Sequence, residues 1–145
     1  MGSAPDPGRI ANRARYVREQ IDRLRGLAAA GRLEGFGDPE NWTVNGAVRH
    51  ALQTAVEALI DLAYHIAAKR LNAAPPDGYA AFSQLAGADL FPKDLLPQVA
   101  RMIGFTNRVV HRYLEVEDTH VVRIVREDTG DFEAVLRALE AAGTA

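Results

Sequence analysis

Apolar residues recur at spacings of three and four along most of this chain, and no stretch alternates like a strand. Ile10, Ala14, Val17, Ile21, Leu24 and Ala28 make one narrow seam, which predicts a first helix from about Arg9 to Ala30, ended by Gly31. Residues 31–42 carry Gly31, Gly35, Gly37 and Pro39 and read as a loop, with Asn41 or Thr43 capping the next helix. That second helix is expected from about Val44 to Leu71. Val48, Leu52, Val56, Leu59, Ile60, Leu62, Ala63 and Ile66 cover much of its circumference, so it should be central or lie at a subunit interface. His50, Gln53, Thr54, Glu57, Asp61 and Tyr64 or His65 share its one polar stripe.

Asn72 to Gly78 is rich in turn residues. A short helix from Tyr79 to Ala86 comes after it. Pro92 or Asp94 then starts a long helix reaching about Tyr113 or Leu114. Glu115 to Asp118 is an acidic break, His120 to Arg126 a short helix, and Asp128 or Thr129 opens a last one with Phe132, Val135, Leu136 and Leu139 inward. The pattern predicts an all-α protein, an antiparallel bundle of about five to six helices in one domain spanning 1–145. Residues 1–8, with Pro5 and Pro7, and residues 143–145 read as disordered tails.

The 145 residues suffice for one sizeable core. With no cysteine there is neither a disulfide framework nor a thiolate metal site. No apolar run approaches the roughly 18 residues of a membrane span, and no signal-peptide core opens the chain, so a cytoplasmic address is expected. Net charge is −2, but residues 1–33 hold seven Arg against Asp6, Glu19 and Asp22. An Arg-rich helix can bind phosphates; the plainer reading is a solvated face. His50, His65, His111 and His120 have no metal-ligand spacing, and no metal or other cofactor is expected.

The densest chemistry lies in Gly104-Phe105-Thr106-Asn107-Arg108-Val109-Val110-His111-Arg112-Tyr113. On a helical wheel Leu95, Val99, Met102, Ile103, Val109, Val110 and Tyr113 form an apolar arc that includes Thr106. Arg101, Arg108, Arg112 and Glu115 lie opposite, and Asn107 and His111 sit on the border. By itself this is an amphipathic core helix with a border histidine. Arg108 and His111 are neighbours at i, i+3 and can reach one phosphate.

The ending Asn107-x-x-x-His111-x-Tyr113 after Gly104-Phe105 resembles the signature of the HEPN superfamily of RNA-cleaving domains, most closely the HepT branch, the toxin half of HepT/MntA toxin–antitoxin systems. The second helix with Asp61-Leu-Ala-Tyr-His65-Ile and the connector with Tyr79 and Phe82 extend the resemblance over residues of about 10 to 140. That family's motif is Arg, a polar residue, a short spacer, His, one residue, Tyr. The Arg position here is Thr106.

The resemblance implies metal-independent endoribonuclease activity at a composite cleft of a homodimer, with RNA as substrate and a cognate nucleotidyltransferase antitoxin, MntA-like, as partner. His111 would be catalytic, Asn107 and Arg108 would position or stabilise the phosphate, and Tyr113 would accept an adenylyl group from the antitoxin. Those roles suit the chemistry. Attack of a 2′-hydroxyl on the adjoining phosphate needs a base titrating near neutrality and a cation beside the phosphorane oxygens. Threonine keeps a donor at position 106 but loses the charge, which Arg108 or Arg112 could supply. The alternative is a catalytically degenerate HEPN subunit that only binds its nucleotidyltransferase. Glu57 and Asp61, at i, i+4, would either anchor a motif arginine or form a solvated stripe.

Overall fold

The computed structural model describes residues 2–111 and 118–145, with side chains throughout except at 109–111. Among these residues the secondary structure is helical, without strands: α1 (Pro7–Ala29), α2 (Trp42–Leu71), α3 (Gly78–Gly87), α4 (Leu96–His111), α5 (Asp118–Arg123) and α6 (Thr129–Thr144). Short 3₁₀ turns precede α2 and α4, and a π-helical turn, Ile124–Asp128, joins α5 to α6.

Helix α2 is the axis of the bundle. It packs on α1, α3, α4 and α6, which accounts for its lack of a single apolar stripe. Val48, Leu52, Val56, Leu59, Leu62 and Ile66 are all buried, each contributing about 1.5–3 kcal/mol by leaving water. These neighbours cover most of its apolar circumference within one chain. The apolar breadth of α2 thus fits the central of the two placements its sequence allowed, with Trp42 at its start left exposed.

Both expected tails are ordered where the structure describes them. Helix α1 begins at Pro7, with the Asp6 carboxylate capping Gly8 N–H at 2.9 Å; a proline at the first turn has no N–H to leave unsatisfied. The lead-in docks on the end of α2: Asp6 N–H donates to Nε2 of His65 at 2.9 Å, Ser3 N–H to the carbonyl of Lys69 at 2.6 Å, and Pro5 is buried. At the other end α6 continues to Thr144 because Arg70 donates to the carbonyls of Ala142 and Gly143, at 3.2 and 3.0 Å. Those carbonyls have no intrahelical partner.

The Arg-rich first helix is more than a solvated face. Arg9 and Arg13 grip Asp61 of α2, while Arg18 and Arg25 reach Glu140 and Glu133 of α6. Caps differ in detail from expectation. Asp77 caps α3, a role not read from the sequence, accepting from Ala80 N–H at 2.8 Å. Asn41 stands at the N-cap of α2, but its amide donates to the carbonyl of Gly35 instead.

Candidate active site

Helix α4 is held by a wedge of apolar residues. Val99, Met102 and Phe105 are buried, with Ile103 and Leu95 partly so. Its opposite face carries Arg101 and Arg108, both exposed, as the helical wheel requires. Asn107 is also exposed.

Thr106 belongs to the buried side. It is 6% exposed, and its hydroxyl donates to the carbonyl of Met102 at 3.0 Å. A threonine on an apolar arc has only its own backbone to bond, and the i−4 carbonyl satisfies it. Nothing at this position faces solvent, so Thr106 offers no donor to a substrate on the Asn107–Arg108 side.

His111 is the last residue of α4, three residues beyond Arg108; its side chain, like those of Val109 and Val110, lies outside the described part of the chain. Arg112, Tyr113 and the acidic break at 115–117 lie outside the described residues.

Among the described residues the arginines that Asp61 meets are Arg9 and Arg13 of α1, not those of the motif helix. Burial alone would raise its pKa, but the hydrogen bonds of Arg9 and Arg13, with their charges, hold the carboxyl below its usual range. Arg13 Nε approaches to 2.8 Å and Arg9 Nη2 to 3.0 Å. Glu57 is exposed and accepts from Gln53 at 3.1 Å, one turn back on its own helix. It belongs to the solvated stripe.

The structure adds residues that sequence reasoning did not group with the motif. After the described part of α4 the chain returns through α5, and His120 settles against Phe105 with ring centroids 5.9 Å apart. Arg123 brings Nη2 to 3.1 Å from Nδ1 of His120. A guanidinium can only donate, so the imidazole accepts at Nδ1. The π turn sets Asp128 near Asp131, and between these elements and α4 opens a groove of about 400 Å³, lined in part by Arg101, Phe105, Arg108 and Arg123. Burial, then the charge of Asp128, raises the pKa of Asp131, against the opposing charge of Arg101. Arg101 and Arg108, seven residues apart, were legible as one face. Arg123 was not, because its place depends on how the chain returns.

At the root of α5, Arg49 of α2 pairs with Asp118 at 2.7 Å and lies over the Phe36 ring, 5.6 Å from its centroid. Gly37, at φ 97°, packs so closely on the Asp118 carboxylate that a Cβ would strike it. The α1–α2 loop, α2 and the start of α5 are thereby fastened together. Among the described residues no group of three or more His, Cys, Asp and Glu could hold a metal ion, and no helix is long and apolar enough to cross a membrane.

The sequence family described as ribonuclease HepT-like matches residues 17–139, which takes in all or most of every helix packed on α2. The chain belongs to the ribonuclease HepT-like family. A relative described as mRNA nuclease HepT, from Shewanella oneidensis, is 27% identical over 132 residues, covering 91% of this chain and 96% of the relative. Solved structures agree with this HepT-like assignment. A tri-AMPylated Shewanella oneidensis HEPN toxin in complex with MNT antitoxin superposes with TM-score 0.82 at 27% identity, covering 94% of this chain and 99% of that one. A toxin–antitoxin crystal structure with AMP-PNP gives TM-score 0.80 at 25% identity, covering 92% and 99%. The HepT-like chain therefore has the expected all-helical HEPN fold over nearly its whole length.

Proposed function

We propose that this chain is the ribonuclease toxin of a HepT/MntA-type toxin–antitoxin system, cleaving RNA without a metal and restrained by a nucleotidyltransferase antitoxin. The observation that carries this reading is the family match across residues 17–139, joined to a helix α4 that carries Asn107, Arg108 and His111 in its last turns. The mRNA nuclease relative supplies the substrate class, and the MNT complex supplies the partner class.

His111 is the general base that takes the 2′-hydroxyl proton, and an imidazole suits this because it titrates near neutrality. Arg108, exposed one turn earlier, places a guanidinium where phosphorane charge develops. Asn107 donates a hydrogen bond at the same end of the helix. Two copies facing each other along α4 would form a composite cleft. Tyr113 is the residue we assign to adenylyl transfer, in keeping with the AMPylated relative.

Thr106 favours a second reading, a degenerate subunit that binds its antitoxin and cleaves nothing, because the buried hydroxyl replaces neither the charge nor the reach of an arginine. One experiment separates the two. The purified full chain is incubated with a defined messenger RNA in EDTA, beside His111→Ala. Cleavage by the wild type alone, leaving 2′,3′-cyclic phosphate ends, supports the toxin. An inert wild type that still binds the antitoxin supports the degenerate subunit. Cleavage that survives His111→Ala rules out the assigned base.

A further inference from the structure

Two sets of arginines stand out among the described residues by what they touch. Arg9, Arg13, Arg18, Arg25 and Arg49 are committed to carboxylates of other helices. Arg101, Arg108 and Arg123 form no ion pair among the described residues, and all three are exposed around the same groove. Three guanidinium groups without a direct carboxylate partner among the described residues share one concave surface and repel one another, only partly offset by the nearby Asp128 and Asp131. A folded chain tolerates that arrangement most readily where an anion completes it.

The groove is also unevenly charged. Its arginines lie along α4 and α5, and Asp128 and Asp131 line it from the π turn and α6. A uniformly polyanionic ligand would be attracted by the first set and repelled by the second. A nucleotide matches both: phosphate oxygens accept from guanidinium groups, and base amino or imino groups donate to carboxylates. A volume of about 400 Å³ lies within the range of small-ligand sites. Arg108 borders the groove and precedes His111 by three residues on the same helix, so a strand passing His111 reaches the groove within about one helical turn.

We propose that the groove between α4 and the α5–α6 elbow is a single-stranded RNA subsite, holding the nucleotide next to the cleaved phosphodiester. Its phosphate rests on Arg123, with Arg101 adding charge, while Arg108 stays with the cleaved phosphate, and its base points toward Asp128 and Asp131. The proposal rests on the ribonuclease reading and deepens it. It differs from the motif chemistry in that Arg101 and Arg123 hold RNA and take no part in bond cleavage.

The test is binding. The full chain carrying His111→Ala, which removes the assigned base, is titrated with a 5′-labelled single-stranded oligoribonucleotide in EDTA, with fluorescence anisotropy as readout and salt varied. Adding Arg101→Gln and Arg123→Gln should weaken binding about tenfold and lower the salt slope by about 1 to 2, as expected when phosphate contacts are removed. Arg23→Gln with Arg32→Gln, which removes the same charge from exposed positions elsewhere, should leave both unchanged. Arg101→Lys with Arg123→Lys should retain most of the binding, which a purely structural role for the planar guanidinium groups would not predict. Helical circular dichroism checks that each variant folds. Equal RNA affinity with and without the groove's arginines overturns the subsite and leaves the ribonuclease reading standing. Failure of the His111→Ala chain to bind RNA at all overturns both.

Discussion

Thr106 donates its hydroxyl to the carbonyl of Met102 one turn back, at 3.0 Å, inside the core rather than toward the exposed Asn107 and Arg108. The position where the family motif has arginine therefore contributes packing here. In Thr106→Arg the new side chain must lay its stem along apolar surface and bring its guanidinium out to water. We expect about 1–3 kcal/mol of destabilisation from overpacking. RNA cleavage should nevertheless rise roughly 100- to 1,000-fold, the range for one electrostatic donor at a developing charge. Denaturant melts and a cleavage time course measure the two effects. A folded variant no faster than wild type would show that the missing guanidinium is not what limits the reaction.

Asp61 gathers Arg9 and Arg13 and thereby ties the start of α1 to α2. The side chains are 35%, 43% and 38% exposed, so solvent screens the contacts. Asp61→Asn should cost only about 1 kcal/mol in urea unfolding, with the loss shrinking in high salt. A loss of several kcal/mol would mean that the cluster holds more of the fold than its exposure allows.

His65 gives the same corner a pH dependence. Burial, then the charges of Arg9 and Lys69, lowers its pKa below 6.5, against the opposing charges of Asp6 and Asp61. The folded state thus binds this proton less readily than the unfolded chain. The contribution is complete above the ordinary histidine value of 6.5 and is lost as pH falls below it through the folded pKa. Protonated His65 could no longer accept from Asp6 N–H at Nε2. The melting temperature should fall between pH 7.5 and 5.5, and less so in His65→Gln. An equal fall in both proteins would assign the dependence elsewhere.

Tyr113 should be the control point. An adenylate there, two residues beyond the assigned base in sequence, adds negative charge and bulk, opposing RNA binding by repulsion and by occlusion. Co-expression with a nucleotidyltransferase antitoxin should add adenylate mass to the peptide containing Tyr113, and Tyr113→Phe should abolish the addition. An inhibited complex whose Tyr113 stays unmodified would mean that the antitoxin acts by masking.

The sequence by itself determined the helices and their faces. Spacings of three and four placed Val17, Leu59 and Leu139 inward and Arg101 and Arg108 outward, because a helix repeats every 3.6 residues whatever surrounds it. The wheel likewise set Thr106 on the buried arc before any packing was known, and the motif ending at Tyr113 carried the family. Only the tertiary structure decided which charges meet. Among the described residues Asp61 meets Arg9 and Arg13, and residues 3–6 dock on the end of α2 at His65 and Lys69, both through contacts some 50 residues or more apart in sequence. The groove arises the same way, since Arg123 joins Arg101 and Arg108 only after α5 has turned back on α4. Local periodicity reports which side of a helix is apolar, whereas the partners of long polar side chains depend on how the helices are laid against one another.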